Sequence, residues 1–434
     1  MPHAGFTDDI LLLDGGLGTH LRALGAEFHG DPLWASKAVL SAPDLVRRAH
    51  FDFFDAGADV AITATYQASL TGFAQIGLSP STAHDAVALA INLAAEARRL
   101  AEEGDVSARS FGEERENEGP EVDALRNAAT SDTDSVQQGN ARDADRRYRR
   151  RNRKILVSNG SYGASLGGGA EYRGNYGVSE KTFHDYHRWR LQAALEQEHL
   201  VDGVVFETLP EHAEAKAIVA LLREFPSLRG KTWLAFTCKS PTELAGGEDF
   251  RSVVADVLKQ DGADQYISGI GVNCAPISTT VPLLCSPPLR DSLAASLEKT
   301  RDPWSLQVVC YPNNEAARNT KDCSSKDFES QEESCHGHVS RAETCMCSIG
   351  VDQSTTVKPQ TSLVSGSAAG GLRCQPKLRA NRMPHGFTKT IKHPLASRVP
   401  AWLNGGVTAV GGCCGTGPED LKEIRAVLEN LGVY

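Results

Sequence analysis

Two adjacent cysteines, Cys413 and Cys414, follow a short apolar run and a glycine pair near the C-terminus. Neighbouring cysteines bond to each other only with strain, because an ordinary disulfide holds its Cα atoms roughly 4.4–6.8 Å apart. The same neighbours can offer two thiolates to one soft metal ion. A third thiolate is available from Cys274, which closes a similar run, Gly271-Val272-Asn273. Three thiolates suit Zn²⁺ with one tetrahedral position open, the catalytic rather than the structural arrangement. By charge count the site carries about −1, which makes it a poor activator of water. It is better suited to holding a further thiolate that must stay nucleophilic. Metal coordination deprotonates a thiol outright, whereas a free thiol of pKa about 8.5 is mostly protonated at neutral pH.

Placing these thiols together requires a scaffold, and the hydrophobic pattern supplies one. Eight strand-like runs are found at Ile10–Asp14, Val60–Thr65, Ile155–Ser158, Gly203–Glu207, Thr232–Thr237, Ser268–Asn273, Leu306–Cys310 and Gly406–Val410. Most are continuously apolar, as parallel strands buried on both faces are. Amphipathic helices are predicted between them at Pro43–Ala56, Ala83–Glu102, Phe183–Leu200, Glu211–Glu224 and Phe250–Lys259, and after the last strand at Pro418–Leu431. Pro43 near the start and Gly57 just past the end of the first follow the usual helix asymmetry. The helix after the sixth strand is poorly defined, and the one before the eighth is short, about Ala396 to Leu403. Eight strands alternating with helices predict an α/β fold, a (β/α)8 TIM barrel. Chemistry in such a barrel sits at the C-terminal strand ends. Those ends carry Asp14, Tyr66, Glu207, Cys274, Cys413 and Cys414, so two carboxylates and three thiols converge on one mouth.

Composition narrows the setting. The chain has 434 residues and a net charge of −10, which argues against a nucleic-acid or membrane-surface role. No stretch approaches the roughly 20 apolar residues of a membrane span, and the N-terminus lacks a signal-peptide pattern. Eleven cysteines, odd in number and irregularly spaced, favour reduced thiols and a cytoplasmic location. Two segments break the βα pattern. Residues 103–153 are charge-rich and lead into Lys154 through the arginine-rich run that starts at Arg146. Residues 315–393 are rich in Ser, Thr and Lys and carry Cys323, Cys335, Cys345, Cys347 and Cys374. Both read as disordered insertions in barrel loops. Removing them leaves about 300 residues, close to one barrel domain with modest loops.

Several segments together resemble the zinc-dependent homocysteine S-methyltransferases, in the branch that uses S-methylmethionine. They are Leu11 to Gly16, Ala58 to Ala68, Ala170 to Tyr176, Phe206 to Pro210, Gly271 to Cys274, Val309 to Asn313 and Gly411 to Cys414. The resemblance covers essentially everything outside the two insertions. It implies zinc held by Cys274, Cys413 and Cys414, with the homocysteine sulfur in the open position. Asp14 and Glu207 match carboxylates that face the amino-acid substrate, and Tyr66 matches a mouth-lining residue. The implied reaction is in-line attack of the homocysteine thiolate on the methyl of S-methylmethionine or S-adenosylmethionine, forming methionine.

Three positions depart from the family pattern. Ser161 stands where proline is usual, Asn314 where a Gly-Glu segment would begin, and Gly415 where arginine usually follows the cysteine pair. They leave two other readings open: a zinc- and amino-acid-binding barrel with weakened turnover, and a betaine-type thiol methyltransferase.

Overall fold

The computed structural model describes residues 10–27, 31, 33–104, 152–297, 302, 305–314, 391 and 393–434. Eight parallel strands form one sheet: β1 (Leu11–Leu12), β2 (Val60–Ile62), β3 (Lys154–Gly160), β4 (Gly203–Leu209), β5 (Thr232–Phe236), β6 (Ile267–Asn273), β7 (Gln307–Tyr311) and β8 (Ala409–Val410). From β2 to β8 each strand pairs with the next in sequence, and β1 pairs with β8. A parallel bridge between Leu13 and Val60 joins β1 to β2 and closes the ring. The expected (β/α)8 barrel is therefore the observed fold.

Side chains two apart along a strand share a face, and this sorts the core into two layers. Leu11, Leu13, Val60, Ile62, Leu156, Val205, Trp233, Val309, Tyr311 and Ala409 pack together as the barrel interior. Their alternates, among them Leu12, Ala61, Val204, Leu234, Val308 and Val410, join the layer shared with the surrounding helices.

The helices are α1 (Leu17–Ala23), α2 (Ala35–Ser41), α3 (Pro43–Ala56), α4 (Leu70–Gln75), α5 (Pro80–Glu103), α6 (Tyr162–Leu166) and α7 (Glu180–Leu195). They continue with α8 (His212–Leu222), α9 (Phe250–Asp261), α10 (Ile277–Cys285), α11 (Leu289–Ser296), α12 (Val399–Asn404) and α13 (Pro418–Asn430). The side chains of Ser79, Ser179 and Asp249 cap α5, α7 and α9 by accepting backbone N–H bonds, which satisfies donors the first turn would otherwise leave free. The region after β6 resolves into α10 and α11. Its weak pattern follows from Pro282 inside α10, which removes a helical hydrogen bond. No described helix is long and apolar enough to cross a membrane.

Most of the two inserted segments lies outside the described residues, but their edges belong to the barrel. Glu103 is the last residue of α5. Arg153 is buried with its guanidinium over the Phe54 ring. His393 binds Asp420 at 2.5 Å. Composition assigns these three to the insertions because all are polar; packing places them in the framework.

One buried group predicts a pH response. His50 on α3 is fully buried, and neither ring nitrogen has a hydrogen-bond partner. Burial lowers its pKa from 6.5 to about 4. Because the folded pKa is depressed, the contribution to stability is whole above pH 6.5. It is lost as pH falls towards 4, since only the unfolded chain takes up a proton there. About 2 kcal/mol should disappear between pH 7 and pH 5 from this residue alone. His50→Leu should shrink the drop in urea midpoint over that range. An unchanged drop would assign the acid sensitivity elsewhere, for instance to His187, whose pKa burial also lowers.

Candidate active site

The three sequence-predicted cysteines meet at the barrel mouth. Cys274 follows β6, and Cys413 and Cys414 follow β8. Their sulfurs all lie within 4.8 Å of one another, with Cys274 Sγ 4.0 Å from Cys414 Sγ. Cys274 and Cys413 are in disulfide contact, with Cα atoms 5.6 Å apart. Cys238, Cys285 and Cys310 are free as expected, whereas in the Cys274–Cys413 pair the sulfurs are in contact, against the expectation of reduced thiols. These two cysteines are distant in sequence and fall at ordinary disulfide spacing, which the adjacent pair does not. Around a tetrahedral ion with metal–sulfur bonds of about 2.3 Å, sulfurs sit about 3.8 Å apart. Reduction of the Cys274–Cys413 bond would let the pair part to that spacing, and Cys414 is already close to it. The donor set therefore fits a soft or borderline metal ion.

Local backbone explains how the turns are made. Cys274 adopts φ +47° and Thr208, after Glu207, adopts φ +58°. Left-handed conformations of non-glycine residues cost on the order of 1 kcal/mol and persist where surroundings enforce them. Gly415 has φ +78°, and its amide donates to Thr19 Oγ1 at 3.0 Å. This conformation favours glycine, so the departure from arginine at 415 agrees with the path of the turn. Ser161 has φ −57°, which proline would also adopt, so that departure leaves the loop path unchanged.

The two carboxylates stand beside the cysteines. Glu207 is 7% exposed. It accepts hydrogen bonds from Ser158 Oγ and, at 3.4 Å, from Asn273 Nδ2. Burial raises its pKa to about 7, against the lowering effect of Ser158. Asp14 accepts the Ile62 amide at 2.7 Å. Its pKa is raised well above the ordinary value by burial, against the Ile62 bond, with the charge of Glu207 adding to the rise. Two buried carboxyls that feel each other titrate as a pair, which disfavours two negative charges near neutral pH. Asn273, whose side chain also takes the Thr208 amide at 2.7 Å, directly precedes Cys274. It therefore ties the carboxylate to the thiol turn.

Tyr66 lies half-buried at the rim, its carbonyl accepting the Gly160 amide at 3.2 Å. A Cβ on Gly160 would meet the Tyr66 carbonyl oxygen at 2.3 Å, so glycine is required for this seat. Burial raises the Tyr66 pKa, with Glu171, Tyr172 and Glu207 adding repulsion. Beneath this rim a fully buried relay fixes the β3 end. Arg190 Nη2 donates to the Gly160 carbonyl at 2.8 Å and to His187 Nδ1 at 2.7 Å. His187 Nε2 then donates to Glu214 at 2.8 Å, and Glu214 also accepts the Tyr162 amide at 2.6 Å.

Ser158, Asn273 and Tyr311 line the same site without a role assigned from sequence. Tyr311 is 2% exposed and its hydroxyl completes no well-formed hydrogen bond, yet it lies near enough to Glu207 to favour that residue's ionised form. Asn273 and Tyr311 end β6 and β7, and Ser158 lies two residues before the end of β3; this position is the signal that could have found them.

A (β/α)8 barrel that gathers three cysteines and two buried carboxylates at its C-terminal strand ends has the architecture of a TIM-barrel enzyme. The chain belongs to the homocysteine S-methyltransferase family, whose model matches residues 11–428, and it is a methyltransferase. It is 28% identical over 425 residues to Homocysteine S-methyltransferase YbgG of Bacillus subtilis (strain 168), covering 98% of this chain and 96% of that one. Crystal structures of the homocysteine methyltransferase MmuM from Escherichia coli share the fold. The metallated form superposes with a TM-score of 0.59 at 24% identity, covering 96% of each chain. The oxidized form superposes with 0.60 at 25% identity, covering 97% of this chain and 96% of that one.

Proposed function

We propose that the protein methylates homocysteine with a sulfonium donor, S-methylmethionine or S-adenosylmethionine, and that Cys274, Cys413 and Cys414 hold Zn²⁺ for this purpose. The observation that carries the reading is the convergence of three sulfurs within 4.8 Å on a mouth that also contains Asp14 and Glu207. Zinc, when bound, would supply positive charge that keeps the substrate sulfur deprotonated at neutral pH. Glu207, backed by Asp14, takes the substrate ammonium and so fixes the sulfur relative to the cysteines. Tyr66 lines the approach of the donor, where an aromatic face suits a sulfonium cation. The homocysteine sulfur attacks the donor methyl in line and forms the new C–S bond. The old C–S bond breaks with its electron pair on the donor sulfur, which leaves as a neutral thioether. The thiol proton is lost to solvent. Positioning two reactants in this way can supply several kcal/mol of the barrier reduction. Both reactants are small molecules, and a cytoplasmic setting suits the need for reduced thiols.

Reduced, zinc-loaded protein should form methionine from homocysteine with S-methylmethionine, two methionines per turnover, and less or none with betaine or a methylfolate. Methionine from betaine alone would move the assignment to the betaine-type enzymes. A folded, zinc-loaded protein giving no methionine from any donor would reduce it to a binding barrel.

A further inference from the structure

The two cysteine-bearing turns come from β6 and β8, which do not pair with each other; β7 lies between them. Their separation is set by what reaches out from the end of β7, and three consecutive residues do so. The Pro312 carbonyl accepts the Cys413 amide at 2.8 Å. The Asn313 amide donates to the Ala275 carbonyl at 3.1 Å, and Asn313 Nδ2 donates to the Cys274 carbonyl at 3.0 Å. The Asn314 amide donates to the Cys414 carbonyl at 2.9 Å. Asn313 and Asn314 are 3% and 4% exposed. The segment thus binds the two turns alternately.

All but one of these bonds involve only main-chain atoms and depend weakly on side-chain identity. The exception, from Asn313 Nδ2, lands on the residue that most needs holding. Cys274 is in the left-handed region, from which a β-carbon-bearing residue tends to relax unless both its peptide groups are fixed. Its amide donates to the Tyr311 carbonyl at 3.3 Å. Its carbonyl accepts from Asn313 Nδ2 and, more distantly, from Thr237 Oγ1 at 3.4 Å. Without the Asn313 bond, only the longer Thr237 bond holds the Cys274 carbonyl, and the peptide can tilt and carry the thiol away from Cys413 and Cys414. The orientation of the Asn313 amide follows from the carbonyl it faces, which only the NH₂ group can satisfy. Among the described residues its Oδ1 is buried without a partner. A half-satisfied buried amide is a poor choice for stability alone, which points to a role in the site.

We propose that Asn313 is a positioning residue for the metal: its side-chain amide clamps the Cys274 peptide and so aims the third thiolate at the ion shared with Cys413 and Cys414. The proposal rests on the reading of these cysteines as metal ligands.

The test uses the full chain, reduced, with Zn²⁺ affinity measured by chelator competition and Co²⁺ loading followed by the thiolate-to-cobalt absorption band. Asn313→Asp keeps the shape and removes the donor; Asn313→Ala removes both. Either should weaken Zn²⁺ binding by roughly 10- to 100-fold and alter the Co²⁺ band, with cooperative melting retained. Asn314→Ala keeps the backbone amide that holds Cys414 and should bind Zn²⁺ as the native protein does. Native affinity and an unaltered Co²⁺ band in the Asn313 variants would overturn the proposal. So would failure of both to fold, because that assigns Asn313 to the framework. A native protein that shows no thiolate-to-cobalt band at all would instead overturn the ligand assignment on which the proposal rests.

Discussion

Serine in place of Cys274 should leave a folded barrel that retains no zinc and transfers methyl groups at least ~10³-fold more slowly. The two side chains are nearly the same size, and Cys274 is 7% exposed, so the packing lost is small, of order 1 kcal/mol. The ligand lost is not small. A serine hydroxyl stays protonated at neutral pH and is a poor ligand for a soft site. The remaining pair, Cys413 and Cys414, sits on one turn and offers two donors where three are needed to leave a single open position. Without the ion the substrate thiol reverts to its ordinary pKa and only a few per cent is thiolate at pH 7. Metal content, melting and methionine formation measured on one preparation check the prediction. Stoichiometric zinc in the folded variant would break the ligand assignment. Cys285→Ser is the matched control, since Cys285 is a free cysteine outside the cluster and its loss should change neither zinc nor turnover. Native protein must be reduced before loading, because Cys274 and Cys413 are joined in the structure and a disulfide sulfur is not a thiolate ligand.

Much of the architecture behind this result was legible because parallel strands buried on both faces write themselves as apolar runs. The end of such a run is also the catalytic face, so Glu207 and Cys274 could be placed before any coordinates. Helix α3 was bounded to the residue by Pro43 and Gly57. The short strands β1 and β8 were over-extended, to Ile10–Asp14 and Gly406–Val410: Leu13 is buried with an isolated bridge to Val60 just past β1, and Val407 is buried just before β8. What stayed hidden depends on pairings across long sequence separations. The His187–Glu214 bond spans 27 residues, and the Asn313–Cys274 bond spans 39. Neither histidine nor asparagine carries a local pattern that announces such a partner. The contact between Cys274 and Cys413 is of the same kind, since it spans 139 residues.

Glu207→Gln should raise the homocysteine KM by roughly 30- to 150-fold while zinc content stays native. This corresponds to about 2–3 kcal/mol for a charge-assisted hydrogen bond in a buried site. In the empty pocket Glu207 has a pKa of about 7, pushed up mainly by burial, so near neutral pH it is ionised only part of the time. An arriving ammonium restores the charge, and the raised pKa becomes a pH dependence of capture. The sign is fixed: the binding-competent form is the carboxylate, which is lost as pH falls through about 7. For the free enzyme, kcat/KM reports this ionisation. The ratio of native to Glu207→Gln kcat/KM should therefore fall about tenfold from pH 8 to pH 6. Taking the ratio cancels titration of the substrate thiol, which both proteins share. A thiol substrate of the same length that lacks the amino group separates charge recognition from general damage. It should be used poorly by the native protein and equally poorly by the variant. If the variant loses as much activity towards that analogue as towards homocysteine, Glu207 acts through the Asn273–Cys274 turn it is bonded to, and the ammonium must be held elsewhere.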